Sequence, residues 1–523
     1  MLHFKKIIIY TSTILLAACQ TTLPDLSNRT PSIYIPTVRA EKLERALQLP
    51  PLTAADTKAQ SDESSSEPKF NAHTYILDSA QDAFAARIKL IENAETSIDT
   101  QYYIWHNDIS GSLLLQKLYQ AAERGVRVRL LLDDNNTRGM DDVLMVMNQH
   151  PKIEVRLFNP FLNRRWRALG YLHDFPRVNR RMHNKSLTAD NRVSIIGGRN
   201  IGDEYFDVGD ETVFSDVDVL VSGGIVTRIS QEFDRYWRSQ SAYPIESIVK
   251  KYNIVRGEEK LRLDYEKNSV LQQYQQTLQA APIVQAASGA GVPYIAAQAQ
   301  LVSDDPAKAL DRDVQVDINA EMRRALGTPQ REMYLVSPYF VPTQSGVAIL
   351  RDLEQQGVAT TVLTNSLRAT DVAAVHSGYL RYRKPLLQSG VKLYELKSDG
   401  SQHPLRDKGL TGSSSTSLHT KTFIVDKERM FVGSFNLDPR SARLNTEMGL
   451  VLHNPQLAQQ MEQRLHEQAQ HNAYHVSLNE QGKLQWHDPQ NADAPPSHRE
   501  PEASFWKRAI SRVLSWLPIE RLL

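Results

Sequence analysis

Only one of the 523 residues is cysteine, which excludes an intramolecular disulfide framework. Charge is balanced, with 61 lysines and arginines against 60 aspartates and glutamates. A dedicated nucleic-acid binder usually carries a basic surplus, so the balance counts against that class while leaving room for a local basic pocket. After the first twenty positions no stretch of about 18 apolar residues occurs, so the body of the chain has no helical bilayer span. The rest is the composition of a globular protein: 41% hydrophobic and 23% charged residues can build a sizeable core. The length predicts two core domains with appendages.

The lone cysteine is Cys19, and the residues leading to it read MLHFKKIIIYTSTILLAAC. Lys5 and Lys6 precede an apolar run from Ile7 to Leu16, too short for a comfortable span, and small residues follow. That order describes a secretory signal over residues 1–18. Leu16-Ala17-Ala18-Cys19 is similar to a bacterial lipobox, which implies a lipidated Cys19 and a membrane-anchored lipoprotein facing the periplasm. Gln20, in place of aspartate, favours the outer membrane. An uncleaved signal anchor is the alternative. Residues 19–69, polar and broken by prolines as far as SDESSSEP, read as a disordered tether.

The body repeats itself. SIDTQYYIW, a helical pattern and GVRVRLLLDD find a counterpart in EMYLVSPYF, a helical pattern and GVATTVLTNS; VRLFN is echoed by VKLYEL. Strands alternating with amphipathic helices such as SGSLLLQKLYQAAERG predict a mixed, mostly parallel sheet covered by helices in each half. The domains are expected at 70–252 and 298–470, with a helical connector at 253–297 and a tail at 471–523.

Within the first half, RMHNKSLTAD places His183, Lys185 and Asp190 at the spacing H-x-K-x-x-x-x-D. In the second, HTKTFIVD places His419, Lys421 and Asp426 at the same spacing. The histidines lie 236 positions apart, 183 against 419, and Tyr103 with Tyr339 and Asn200 with Asn436 keep that offset. Each motif is trailed by GGRN or GSFN. A duplicated α/β domain accounts for all of this at once.

These paired motifs resemble the phospholipase D superfamily, and within it the bacterial cardiolipin synthases, over about residues 75–470. The resemblance implies two duplicated domains packed so that both motifs meet in one active site at their interface. It implies His183, Lys185, Asn200, His419, Lys421, Ser434 and Asn436 as the catalytic and phosphate-binding set, with Asp190 and Asp426 completing the signature in a more structural role. It implies no metal and no cofactor. The residue types suit phosphodiester chemistry: an anionic diester needs fixed cations and donors, here lysines and amides. One imidazole can attack phosphorus while the other protonates the leaving alkoxide. By analogy His183 is the nucleophile and His419 the acid and base, though the symmetry leaves that order open. Each imidazole needs an orienting carboxylate. Asp216 and Glu447 resemble the family's, with Asp218 the rival to Asp216.

Three further stretches have two readings each. Arginines 164, 165, 167, 177, 180 and 181 form a solvated face or a surface for anionic headgroups; SDGSQHPLRDKGLTGSSSTS is a plain loop or a mobile one at the site's mouth. Behind Ser504, a helix carrying Phe505, Val513 and Trp516 with Lys507, Arg508 and Arg512 suits a membrane interface or packing on the body. The resemblance implies transfer of a phosphatidyl group between phospholipids at a membrane surface, with phosphatidylglycerol as acceptor and phosphatidylethanolamine as an alternative donor. A phospholipase D passing the group to water is the runner-up. A periplasmic nuclease and a non-catalytic envelope lipoprotein rank below it.

Overall fold

A computed structural model describes residues 23–516 apart from positions 28, 38, 61–67, 209–212, 263–267, 313–317, 399–415 and 492. Cys19, Gln20, most of the glycine- and serine-rich loop and the terminal LPIERLL lie outside the described residues. The first half contributes strands β1 (Phe70–Leu77), β2 (Ser97–Tyr102), β3 (Arg127–Asp133), β4 (Ile153–Phe158), β5 (Ser186–Ala189), β6 (Val193–Gly197), β7 (Val213–Ser215), β8 (Asp218–Gly223) and β9 (Ala242–Pro244). The second contributes β10 (Ile295–Ser303), β11 (Glu332–Val336), β12 (Ala359–Asn365), β13 (Lys392–Leu396), β14 (Thr416–Leu418), β15 (Thr422–Val425), β16 (Arg429–Gly433), β17 (Met448–His453), β18 (Ala473–Leu478) and β19 (Leu484–His487).

Following the ladders, the halves read β9-β4-β3-β2-β5-β6-β8-β1 and β10-β17-β16-β15-β11-β12-β13-β18-β19. The same order runs outward from a seam where β1 and β10 pair antiparallel, Phe70 opposite Ala299. Strands related by the duplication thus meet at the seam as a two-fold axis requires. Side chains of β6 and β8 (Ile196, Val219, Val221) share a buried cluster with Met430, Val432, Leu450 and Leu452 of β16 and β17, so the halves also pack face to face.

Two expectations need correcting. The sheet is mixed but not mostly parallel: among the described residues, parallel ladders within it are confined to β2-β3-β4 and β11-β12-β13. These are the strands joined by helices such as Ile109–Glu123 and Thr343–Gln355, whereas the motif strands β5–β6 and β15–β16 are hairpins. Nor is the described segment between residues 23 and 60 a disordered tether. Arg29 donates to the carbonyls of Arg238, Ser239 and Ala242, and Trp237 Nε1 donates to Ser32 Oγ at 2.9 Å. The helix Glu41–Leu47 buries Leu43 and Leu47 in the first-half core. A few spaced leucines sufficed because the body supplies the surface that composition alone does not reveal.

Each motif aspartate sits in the hairpin turn. Asp190 and Asn191 have φ of 53° and 48°, Asp426 and Lys427 have φ of 55° and 57°, and Arg192 N and Glu428 N close the turns onto Ala189 O and Val425 O. Two successive left-handed residues are the geometry of a type I′ turn, which matches strand twist and favours Asp and Asn.

Candidate active site

The duplication brings the motif histidines together by pairing each motif with the other half. His183 N donates to Thr446 O at 2.8 Å, and His419 N donates to Ser215 O at 2.8 Å. β14, which leads into His419, pairs with β7 of the first half, and Met182 bridges to Thr446 of the second. Thr446 and Ser215 immediately precede the two acids, so the carboxylates cross over. His183 Nδ1 lies 2.8 Å from Glu447 Oε2, and His419 Nδ1 lies 2.5 Å from Asp216 Oδ2. A carboxylate only accepts, which puts the ring proton on Nδ1 and leaves the lone pair on Nε2; at His419 the Lys421 amine also lies 2.8 Å from Nδ1, and the shorter contact to Asp216 sets the same tautomer.

Both imidazoles, both carboxylates and both lysines are buried. Lys185 Nζ donates to His183 O at 2.6 Å and Lys421 Nζ donates to His419 O. Burial, with Lys185 and Lys421 close by, pushes His183 down to about 4 against the opposing pull of Glu447. Burial and the same two lysines hold His419 well below the usual imidazole range. Burial also lowers Lys185 to about 7 and Lys421 to about 8. Burial works against the Glu447 carboxylate, yet His183, Lys185 and the Ser434 hydroxyl keep it below its ordinary value. Asp216 is pushed up by burial, which Lys421 and Arg199 offset only in part. The cluster is therefore a buried site whose cations are suppressed by burial and by one another, a state that an entering anion relieves.

The remaining residues of the expected set make other contacts. Asp190 Oδ1 and Oδ2 accept from the backbone of Glu95, Thr96 and Ser97, and Asp426 accepts from Gln330, Arg331 and Glu332. With β5 between them, Asp190 stands about 16 Å along the strand from Lys185. Ser434 Oγ donates to Glu447 Oε2 at 2.5 Å, so it braces the carboxylate. Its counterpart in the first half, Gly198, has no room for a side chain: a Cβ there would run into the Asp216 carboxylate. Asn200 Nδ2 donates to Tyr205 Oη at 2.9 Å and its Oδ1 accepts from Ile104 N, while Asn436 Oδ1 is buried without a partner among the described residues. Asp218 is held by Arg87 at 2.9 Å and by the Arg199 backbone, in a buried ion pair beside the seam. It does not contact an imidazole.

Five of the six arginines in the run fit neither of its readings. Arg164 pairs with Asp134 and Asp141, Arg177 with Asp174, Arg180 with Asp311 and Arg181 with Asp133. Arg167 donates to Asp134 O, leaving Arg165 exposed. Sequence reading missed a ring of supports. Tyr103 packs edge-on to His183 at 4.8 Å, and Tyr205 and Phe214 flank His419 at 5.3 Å each. Asp133 Oδ2 accepts from Met182 N, just before His183; Asn365 exchanges two bonds with Leu418, just before His419. Tyr103 had a signal in its 236-residue offset to Tyr339, but Tyr205 and Phe214 had none.

His106, Asp108 and Glu204 form the group among the described residues whose ligand atoms could converge on a metal, within 4.8 Å of one another. Asp108 caps the helix Ile109–Glu123 and accepts from Asp203 N, and His106 pairs with Glu204 at 3.1 Å, so local partners already account for the cluster.

Two imidazole–carboxylate pairs, crossed between the halves of a duplication and flanked by two lysines, define the phospholipase D type of site. Residues 88–237 and 322–468 match the family described as "Cardiolipin synthase, PLD-like domain", and the chain belongs to that family. It is 45% identical over 455 residues to cardiolipin synthase C of Escherichia coli, covering 86% of this chain and 96% of that one. It is 32% identical to an uncharacterized protein of Helicobacter pylori, covering 87% and 90%. The fold is shared with the phosphatidylserine synthase of Haemophilus influenzae, at TM-score 0.52 and 14% identity over 84% of this chain and 91% of that one.

Proposed function

We propose that the protein is a phosphatidyltransferase that makes cardiolipin. The observation that carries this reading is the crossed pair of buried imidazoles with a free Nε2 each and two lysines beside them. The 45% relative named cardiolipin synthase C supports the choice of substrate. His183 Nε2 attacks the phosphorus of a donor phospholipid; the phosphorus–oxygen bond to the headgroup breaks, and His419, which takes up a proton from solution on Nε2 as the anionic diester binds, gives that proton to the leaving alkoxide. Phosphatidylglycerol as donor releases glycerol, and phosphatidylethanolamine releases ethanolamine. Neutral His419 then takes the proton from a headgroup hydroxyl of a second phosphatidylglycerol. That oxygen bonds to phosphorus as the phosphorus–nitrogen bond breaks. Lys185 and Lys421 neutralise the phosphoryl oxygens, and the amide N–H groups of Asn200 and Asn436 donate to them. The diester's own charge raises the proton affinity of the imidazoles, which burial and the lysines otherwise suppress.

The same reading puts the protein at a membrane. Among the described residues no helix is long and apolar enough to cross one, and attachment is assigned to a lipidated Cys19 facing the periplasm from the outer membrane. The test is incubation of the purified protein with labelled phosphatidylglycerol, with and without phosphatidylethanolamine. Cardiolipin supports the transferase, and phosphatidic acid makes it a hydrolase. Formation of neither, with His183→Ala indistinguishable from wild type in cells, removes the enzymatic reading.

A further inference from the structure

The loops leaving β3 and β12 are equivalent under the duplication, and each supports an exposed aromatic surface of its own. After β3, Arg167 donates to Asp134 O and Tyr171 Oη to Asn135 Oδ1, docking the helices Ala168–His173 and Phe175–Val178 on this loop. Trp166 is 62% exposed there and Leu172 82%, with Phe175 beside them. After β12, Lys507 Nζ donates to Arg368 O and Thr370 O, docking the helix Phe505–Leu514 on that loop. Its outer face carries Phe505, Trp506, Val513 and Trp516, the last two tryptophans 72% and 76% exposed. The helix thus docks through Lys507 and buried Ser511 and turns its aromatic side outward.

Both loops border the site. Asn136 donates to Tyr103 O beside His183; Asp371 accepts from Tyr339 Oη at 2.8 Å and is felt by Lys421. Of the six tryptophans, Trp105, Trp237 and Trp486 are buried, and the three exposed ones are all on these two surfaces. Segment 503–516 contains no acidic residue and segment 163–178 only Asp174, which pairs with Arg177, while Arg165 and Arg512 are exposed on them.

We propose that these two aromatic surfaces, one from each half, are bilayer-docking feet that seat the active-site mouth on a membrane containing anionic phospholipid. Tryptophan and leucine enter the interfacial region while arginine meets headgroup phosphates. The loops that carry the two feet are themselves related by the duplication that joins the histidines. A lipid whose phosphate must reach the buried imidazoles then moves only a short way out of its leaflet. The choice of a bilayer as occupant rests on the phospholipid reading above; the surfaces themselves do not.

The experiment reads insertion, not turnover. Full-length protein is mixed with vesicles of phosphatidylethanolamine and phosphatidylglycerol containing lipids brominated along the acyl chain. In a W506F/W516F variant the exposed indole is Trp166; in W166F the exposed indoles are Trp506 and Trp516. The buried tryptophans give a constant background in both. Quenching in both variants is the expected result. Quenching in only one, or in neither, overturns the proposal, as does self-association that shields these indoles without lipid. In a chain also carrying Cys19→Ser, Leu172→Asp and Trp506→Asp should each weaken vesicle partition roughly tenfold. An unchanged denaturation midpoint shows that the fold is intact, and unchanged partition overturns the proposal. Failure to form cardiolipin leaves these readouts untouched, so the two readings fail separately.

Discussion

An anion entering the site at pH 8 should draw protons in with it. Burial pushes Lys185 to about 7 and Lys421 to about 8, with Glu447 and Asp216 the main opposing influences. At pH 8 the first amine is then protonated in roughly one molecule in ten and the second in roughly half. A unit negative charge at about 4 Å in surroundings of effective dielectric about 20 favours an ammonium by about 4 kcal/mol, or about three pH units. Sulfate beside both amines therefore restores both to full charge, and uptake should approach roughly 1.4 protons per molecule. Sulfate does not titrate near this pH, so the protons come from solution. Calorimetric titration in two buffers of different ionisation enthalpy reads the number directly. At pH 6 both amines already hold their protons and their contribution disappears. Lys185→Met should remove roughly 0.9 of the uptake at pH 8 and Lys421→Met roughly 0.5. Zero uptake or proton release by the wild-type protein at pH 8 would refute the account of the site as a cavity of suppressed cations.

Glu447→Gln should lower turnover by roughly 10³ to 10⁴, because the amide no longer fixes the His183 tautomer or supports its charge; kinetics of the double variant with His183→Ala should show almost no further loss, although the two residues are 264 positions apart. Asp190→Ala removes the acceptor of three backbone amides. It should cost about 2–4 kcal/mol in urea denaturation while sparing activity per folded molecule; lost activity with an unchanged midpoint would return Asp190 to the chemistry. Leu43→Ala should cost about 2–4 kcal/mol by the same measurement, since its side chain is fully buried. No loss would mean the segment around it is a tether after all.

The repeated H-x-K-x-x-x-x-D was legible because a duplication preserves spacing, and spacing on a strand fixes which side chains share a face. The same logic found Asn200 and Asn436 and the outline of two α/β halves. It could not distinguish hairpin strands from helix-linked ones where both read as short apolar runs, so antiparallel pairing was underestimated. It mistook residues 23–60 for a tether because the partner surface for Leu43 and Leu47 is made elsewhere in the chain. The arginine run misled in a similar way, since Asp133, Asp134 and Asp141, which neutralise much of it, lie well upstream.

From sequence alone came the residue types of the site, its twofold repetition and the carboxylates that resemble orienting acids, all properties of order along the chain. Tertiary structure decided which acid serves which imidazole. Glu447 reaches His183 and Asp216 reaches His419 because each motif hydrogen-bonds to the residue preceding the other half's acid. It also decided that Ser434 braces a carboxylate and that the motif aspartates hold turns. Such pairings depend on distances through space, which local spacing does not encode; only the packing of one half on the other brings them within hydrogen-bond reach.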